Sequence, residues 1–181
     1  IVQVAAVAML GGKILDTPRL DRLVNPGVPI PASSTLVHRI ADADVATAPR
    51  FADIASTLQE IVRGRVLVGH NIAFDLAILR REAERAGISW PELPTLDVAL
   101  LAGALAPTLP DLGFETVAAY LGTAVRDRHT AIGDALAVAA IFTALLPALR
   151  ERNVRTLAEA QAFAARREDL IRTQHELGWH V

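Results

Sequence analysis

Apolar positions change their period several times along the chain, and each change marks an element. Val2 and Val4 alternate around Gln3 and the run stays apolar to Leu10, which reads as a strand. Gly11-Gly12 is a two-residue hairpin turn, so Lys13-Ile14-Leu15 should return antiparallel and run on toward Arg22-Leu23-Val24. Asn25-Pro26-Gly27 and Pro29-Ile30-Pro31 break that strand, and the segment to Pro49 reads as loop. From Phe51 the period turns helical, with Phe51, Ile54, Leu58, Ile61 and Val62 on one face and Gly64 as the stop.

Arg65-Val66-Leu67-Val68-Gly69 is short, apolar and β-branched, as a buried strand is. A helix from about Ala73 to Ala86 follows, with Leu76, Leu79 and Ala83 along one side and Gly87 as a left-handed cap. Thr95-Leu96-Asp97 reads as a strand end feeding a short helix through Leu105, and Phe114 to Leu121 as one more helix closed by Gly122. A long helix spans about Thr130 to Arg150, tolerating or ending at Pro147. Thr156-Leu157-Ala158-Glu159 is a capping box that opens a last helix to about Leu177, with Leu157, Phe163, Leu170 and Ile171 in its apolar stripe. That helix reads as one docking on the domain or leading into a neighbour. The pattern gives one α/β domain without internal repeats.

Composition narrows the chemistry. The 181 residues are 52% hydrophobic and 21% charged, enough apolar surface for a folded core. The run from Ala131 to Leu146 is interrupted by Asp134 and falls short of the ~18 apolar residues a bilayer span needs, so no membrane partner is expected. The chain has no cysteine, which excludes disulfides, a thiolate nucleophile and sulfur-ligated zinc and fits the cytoplasm. A net charge of -2 argues against a sequence-independent nucleic-acid coat and leaves room for an enzyme that grips one strand end.

Two carboxylates break the burial rule. Asp75 lies in the first turn of its helix with Ile78 and Leu79 three and four residues on, and Asp134 shares its face with Ala131, Ala137, Val138 and Ile141. Desolvating either without a partner costs several kcal/mol, and the first-turn dipole offsets only about 0.3 to 1 kcal/mol. Either acid alone reads first as a helix cap; the pair points to a shared partner such as a metal. His129, five residues before Asp134, reads alone as a loop residue and beside the acids as a candidate general base.

These residues carry a resemblance. His70-Asn71-Ile72-Ala73-Phe74-Asp75 resembles the second motif of the DEDDh family of 3′-to-5′ exonucleases, and His129-Thr130-Ala131-Ile132-Gly133-Asp134 resembles its third, histidine-containing motif. Val37-His38-Arg39-Ile40-Ala41-Asp42 is similar to the segment lining the nucleotide pocket in the proofreading epsilon subunits of bacterial DNA polymerase III, with Arg39 where glycine is usual. Leu112-Gly113-Phe114-Glu115 through Leu121-Gly122 is similar to the helix before the third motif. The likeness covers Ile1 to about Leu149, so residues 1–150 read as the exonuclease-like unit and 151–181 as a C-terminal helical extension.

The resemblance implies a ribonuclease-H-like fold, a mixed five-stranded sheet flanked by helices. It implies hydrolysis of terminal phosphodiesters, of DNA ahead of RNA, by two divalent ions, magnesium or manganese. Asp75 and Asp134 are then metal ligands and His129 the base, while Val37, His38 and Phe74 meet the terminal nucleotide. Taken alone, Phe74 reads as core and His38 as a polar loop residue.

The family's Asp-x-Glu, on its first and central strand, is missing from these residues; Ile1-Val2-Gln3-Val4 matches the second strand. The expectation is a fragment of a longer polypeptide whose upstream part supplies that strand, and inactivity of the 181 residues alone. Two alternatives stay open: an inactive exonuclease-fold module that binds nucleic acid or a protein partner, and an unrelated α/β interaction module in which the two acids merely cap helices.

Overall fold

The structure is a computed structural model and describes residues 1–176. Strand β1 (Gln3–Leu10) and strand β2 (Lys13–Leu23) pair antiparallel from Gln3 opposite Leu23 to Leu10 opposite Lys13, with a register shift between Val7 and Met9. The turn needs positive φ at both central positions, and Gly11 and Gly12 supply 60° and 81°. Helices α1 (Ala32–His38) and α2 (Asp42–Val45) follow. They correct the loop expected to Pro49. Neither has a side-chain N-cap, and α1 buries no residue at all, so no apolar period announces them.

Helix α3 (Phe51–Val62) buries Phe51, Ile54, Ala55, Leu58 and Val62, the face its period predicts. Strand β3 (Leu67–Gly69) runs parallel to β4 (Thr95–Asp97), Leu67 opposite Thr95 and Gly69 opposite Asp97, with helix α4 (Ile72–Arg85) as the crossover. Helices α5 (Val98–Leu105), α6 (Phe114–Tyr120) and α7 (Ala131–Glu151) complete the unit. The single C-terminal helix expected from the capping box is instead two, α8 (Leu157–Ala164) and α9 (Glu168–Glu176). Thr156 Oγ1 accepts the Glu159 N–H while Glu159 accepts the Thr156 N–H, as the box requires. The expected end at Leu177 lies outside the described residues.

The two strand pairs are not hydrogen-bonded to each other. Two apolar clusters back them, and Leu67 of β3 packs against the hairpin's. Leu20, Val24, Phe51, Ile54, Leu58 and Ala83 form one. The other gathers Leu96, Val98, Leu101, Phe114, Val117, Ile141, Leu145 and Phe163, so α8 belongs to the same core as α5 and α7. Between β1 and β3 lies a cavity of about 1240 Å³, walled by Val4 and Ala6 of β1, Leu67 and Val68 of β3, and Val138 and Phe142 of α7.

Helix α7 corrects one sequence reading. Its 21 residues, with an 18-residue stretch of mean hydropathy 2.0, are long and apolar enough, by length and composition, to cross a membrane despite Asp134. In the fold it packs on β1, β3, α5 and α6, with Gly133, Ala137, Ala139, Ile141, Leu145 and Leu149 buried. Leu145 is fully buried whereas Leu36 is 84% exposed. Leu145→Ala should therefore cost about 2–5 kcal/mol in urea unfolding, and Leu36→Ala within about 0.5 kcal/mol. Equal losses would contradict this placement of the core.

Candidate active site

The chain turns from β3 into α4 through Asn71, whose φ of 56° and ψ of 48° are left-handed, a conformation asparagine tolerates. The reversal puts Asp75 in the first turn of α4 and on the cavity wall. Asp97 fixes that turn from the neighbouring strand. Its Oδ2 accepts the Ile72 N–H at 3.2 Å, and its Oδ1 accepts the Ala99 and Leu100 N–H groups at 2.9 and 3.4 Å. One carboxylate, 6% exposed, thus caps α5 and holds the start of α4. Sequence reading placed Asp97 at a strand end without this role; an aspartate directly ahead of the apolar run Val98-Ala99-Leu100 was the available signal.

Asp75 opens onto the cavity, so its surface is accessible, yet protein surrounds it on most sides. That burial pushes its pKa up to about 6, against its own helix backbone, with Asp97 and Asp134 adding repulsion.

The second acid is set by the turn before α7. Thr130 Oγ1 accepts the Gly133 N–H at 3.1 Å and donates to the Asp127 carbonyl at 2.6 Å. Any Cβ at Gly133 would run into the Asp127 carbonyl and Thr130 Oγ1, so the turn closes only over glycine. Asp134 Oδ1 accepts the His129 N–H at 3.3 Å and Arg128 Nη1 at 2.5 Å.

Arg128 is the residue that sequence reading missed. Its Nε donates to Glu115 Oε1 at 2.8 Å, and its guanidinium lies 4.2 Å from the centre of the Phe114 ring. Burial disfavours the charged guanidinium, but Glu115 and Asp134 outweigh it and raise its pKa. The hydrogen bond from Arg128 in turn holds the Glu115 carboxyl below its ordinary value. On the far side, the His70 ring lies 5.2 Å from Phe114 and Nε2 donates to the Leu112 carbonyl at 2.8 Å. The Leu112-to-Glu115 stretch therefore acts as a platform for the residues around Asp134.

The cavity wall brings together Asp75, Asp134, Phe74, His70, Glu115 and Arg128. His129, Val37 and His38 are not among its described lining residues. The His129 side chain is exposed on a backbone with φ 66°. Val37 is exposed on α1, and His38 Nδ1 accepts the Ile40 N–H at 3.1 Å. Among the described residues, no three His, Asp or Glu side chains close around one point. Asp75 and Asp134 still fit a hard divalent ion as part of a set: both offer carboxylate oxygens to one cavity, and their mutual repulsion is what a cation would relieve.

Residues 1–142 match the family model for the RNase_T exonuclease domain. The chain belongs to the RNase_T exonuclease family. Among relatives of this exonuclease domain, a DNA polymerase III subunit epsilon-like protein of Rhodobacter capsulatus is 41% identical over 158 residues, which are 86% of this chain and 22% of that protein. A PolC-type DNA polymerase III of Caldanaerobacter subterraneus is 30% identical over 168 residues, 93% of this chain and 12% of that one. The domain thus spans less than a quarter of either relative. Exonuclease X in complex with 5′ overhanging duplex DNA superposes with a TM-score of 0.66 at 24% identity, covering 91% of this chain and 90% of that one. E. coli Exonuclease I in complex with a dT13 oligonucleotide gives 0.71 at 17% identity, covering 83% and 38%. These likenesses establish the ribonuclease-H-like exonuclease fold.

The raised Asp75 pKa makes a measurable prediction. Between its ordinary value of 3.8 and about 6, the folded chain keeps a proton that the unfolded chain has lost, so stability falls as pH rises. With a chelator present, the melting temperature should decline across that window. Asp75→Asn should flatten the decline and melt higher at pH 7; an unchanged profile would show that Asp75 is not the strained acid.

Proposed function

We propose that this exonuclease domain removes nucleotides from the 3′ end of a nucleic-acid strand, DNA ahead of RNA, in the cytoplasm. It does so with two divalent ions, magnesium or manganese, held in part by Asp75 and Asp134. The observation that carries this reading is the meeting of two carboxylates from α4 and α7 at one cavity beside the unpaired edge of β1. When bound, such ions activate the attacking water and stabilise the leaving 3′ oxygen. Asp75 and Asp134 anchor them by their oxygens. His129, at the mouth of α7, receives the proton of the attacking water on its imidazole. Phe74, 47% exposed on the cavity wall, offers apolar surface to the terminal nucleotide, and Val37 and His38 of α1, off that wall, would reach the nucleotide from their own exposed helix.

Two carboxylates are a sparse set for ions that take about six or more oxygen ligands. The same cavity supports an answer, because it lies between β1 and β3 and is lined by apolar side chains. We infer that a strand carrying Asp-x-Glu, encoded upstream of Ile1 in a longer polypeptide, occupies it. Such a strand would pair the free edge of β1 and bring two more ligands. Residues 1–150 are then the exonuclease unit, and 151–181 an extension docked through α8. A second reading has one specific support: Arg128 pairs with Asp134, which leaves that carboxylate a resident partner, as an inactive module that binds nucleic acid or a protein partner would have.

Two measurements separate the readings. The 181 residues alone should release no nucleotide from a labelled single strand, whereas a polypeptide extended upstream should gain activity with magnesium or manganese and melt at a higher temperature. Activity that stays absent after extension would favour the inactive module. In the extended polypeptide, His129→Ala should lower the rate about 10²- to 10⁴-fold with strand binding largely kept. Near-normal turnover would remove His129 from the mechanism.

A further inference from the structure

Asp134 Oδ1 has no capacity to spare. It accepts the His129 backbone N–H at 3.3 Å and Arg128 Nη1 at 2.5 Å, which occupies both lone pairs of that oxygen. The backbone donor is fixed by the turn before α7. The guanidinium is held by side chains alone: Asp134, Glu115 at 2.8 Å and the Phe114 ring at 4.2 Å. Its side chain is 25% exposed and that of Glu115 69%, so this arm lies at the mouth of the cavity and can move without unpacking the core. A positive charge on Asp134 also opposes any divalent ion that approaches the same carboxylate.

A strand end changes that balance. A phosphodiester gives a guanidinium two oxygens in a fork geometry, a better match than a single carboxylate oxygen. We propose that Arg128 is the resident counter-cation of the metal site: it holds Asp134 Oδ1 while the site is empty of nucleic acid, then moves onto the substrate phosphate and frees that oxygen for the ion. This rests on the metal-dependent reading above and adds its regulation. Metal and strand end become mutually dependent ligands, each raising the affinity for the other by the same factor. Arg128 is the coupling element, and Glu115 with Phe114 keeps it close enough to switch partners. A domain so built would load its ions fully only when a strand end is present.

The test is manganese binding by titration calorimetry to the full-length polypeptide, with and without a short DNA strand whose last linkage resists hydrolysis. Arg128→Gln should raise manganese affinity in the absence of DNA about tenfold and reduce the gain on adding DNA by a similar factor. Arg128→Lys, which keeps the charge, should stay near the wild type without DNA. Glu115→Gln supplies the opposite sign: with its other carboxylate partner neutralised, the guanidinium rests more firmly on Asp134, and manganese affinity without DNA should fall. That arm stands even if Arg128→Gln does not fold. Unchanged or weaker binding in Arg128→Gln, or unchanged binding in Glu115→Gln, overturns the counter-cation role alone. No manganese binding by the wild type with DNA present overturns the metal-dependent reading as well.

Discussion

The two strand pairs share no hydrogen bond, so the domain depends on helix α7, which packs on both. Helix α7 packs on β1, β2 and β3, and its position is fixed at two points along the hairpin. Near its start, Gln3 donates from Nε2 to Asp21 Oδ1 at 3.1 Å and accepts the Ala131 N–H on Oε1 at 3.0 Å. Farther along, the Thr143 hydroxyl shares its one proton between the Gly12 carbonyl at 3.1 Å and the Ala139 carbonyl of its own helix at 2.9 Å. Each bond contributes only about 0.5–1.5 kcal/mol net, far less than the apolar burial around Ile141 and Leu145. Their effect is on register. Twelve residues of helix span about 18 Å, so two latches at that separation fix α7 along its length as well as around its axis, and Asp134 is carried to the cavity with it.

Three aspartates near this cavity face three different electrostatic problems. Asp97 is buried but accepts three backbone N–H groups, so its charge is fully solvated by the ends of two helices. Asp134 is matched by a guanidinium. Asp75 has neither, and its raised pKa follows. Burial alone does not rank these acids, because the most buried of the three is the one with its hydrogen bonds complete. A carboxylate left short of donors in a preformed cavity is where a cation has most to contribute.

What the sequence revealed, and what it hid, divides along the range of the interactions. The hairpin was legible because Gly11-Gly12 admits few other geometries, and α3 because five buried positions keep its period. The two acids were legible as a pair because each stands where its helix is otherwise apolar. Helices α1 and α2 were not, since short segments without side-chain N-caps and with almost no buried face leave no pattern. The break between α8 and α9 was hidden by a single apolar stripe running through both. Arg128 and Asp97 were missed for another reason. Their partners, Glu115 and Ile72, lie 13 and 25 residues away, and no local rule of spacing reaches that far.

The turn before α7 brings these threads together. Asp127 and His129 both have positive φ, 52° and 66°, a conformation that costs a residue other than glycine roughly 1–2 kcal/mol. The sequence could have relieved both with glycine, yet the one glycine nearby, Gly133, sits in the helix, where its missing Cβ lets the Asp127 carbonyl and Thr130 Oγ1 approach. The strain is therefore balanced by that close approach and by the Thr130 cap. The left-handed residue at His129 turns its backbone N–H onto the Asp134 carboxylate while Arg128 reaches the same oxygen from the side. The strained backbone thus holds the Asp134 carboxylate from two directions at once.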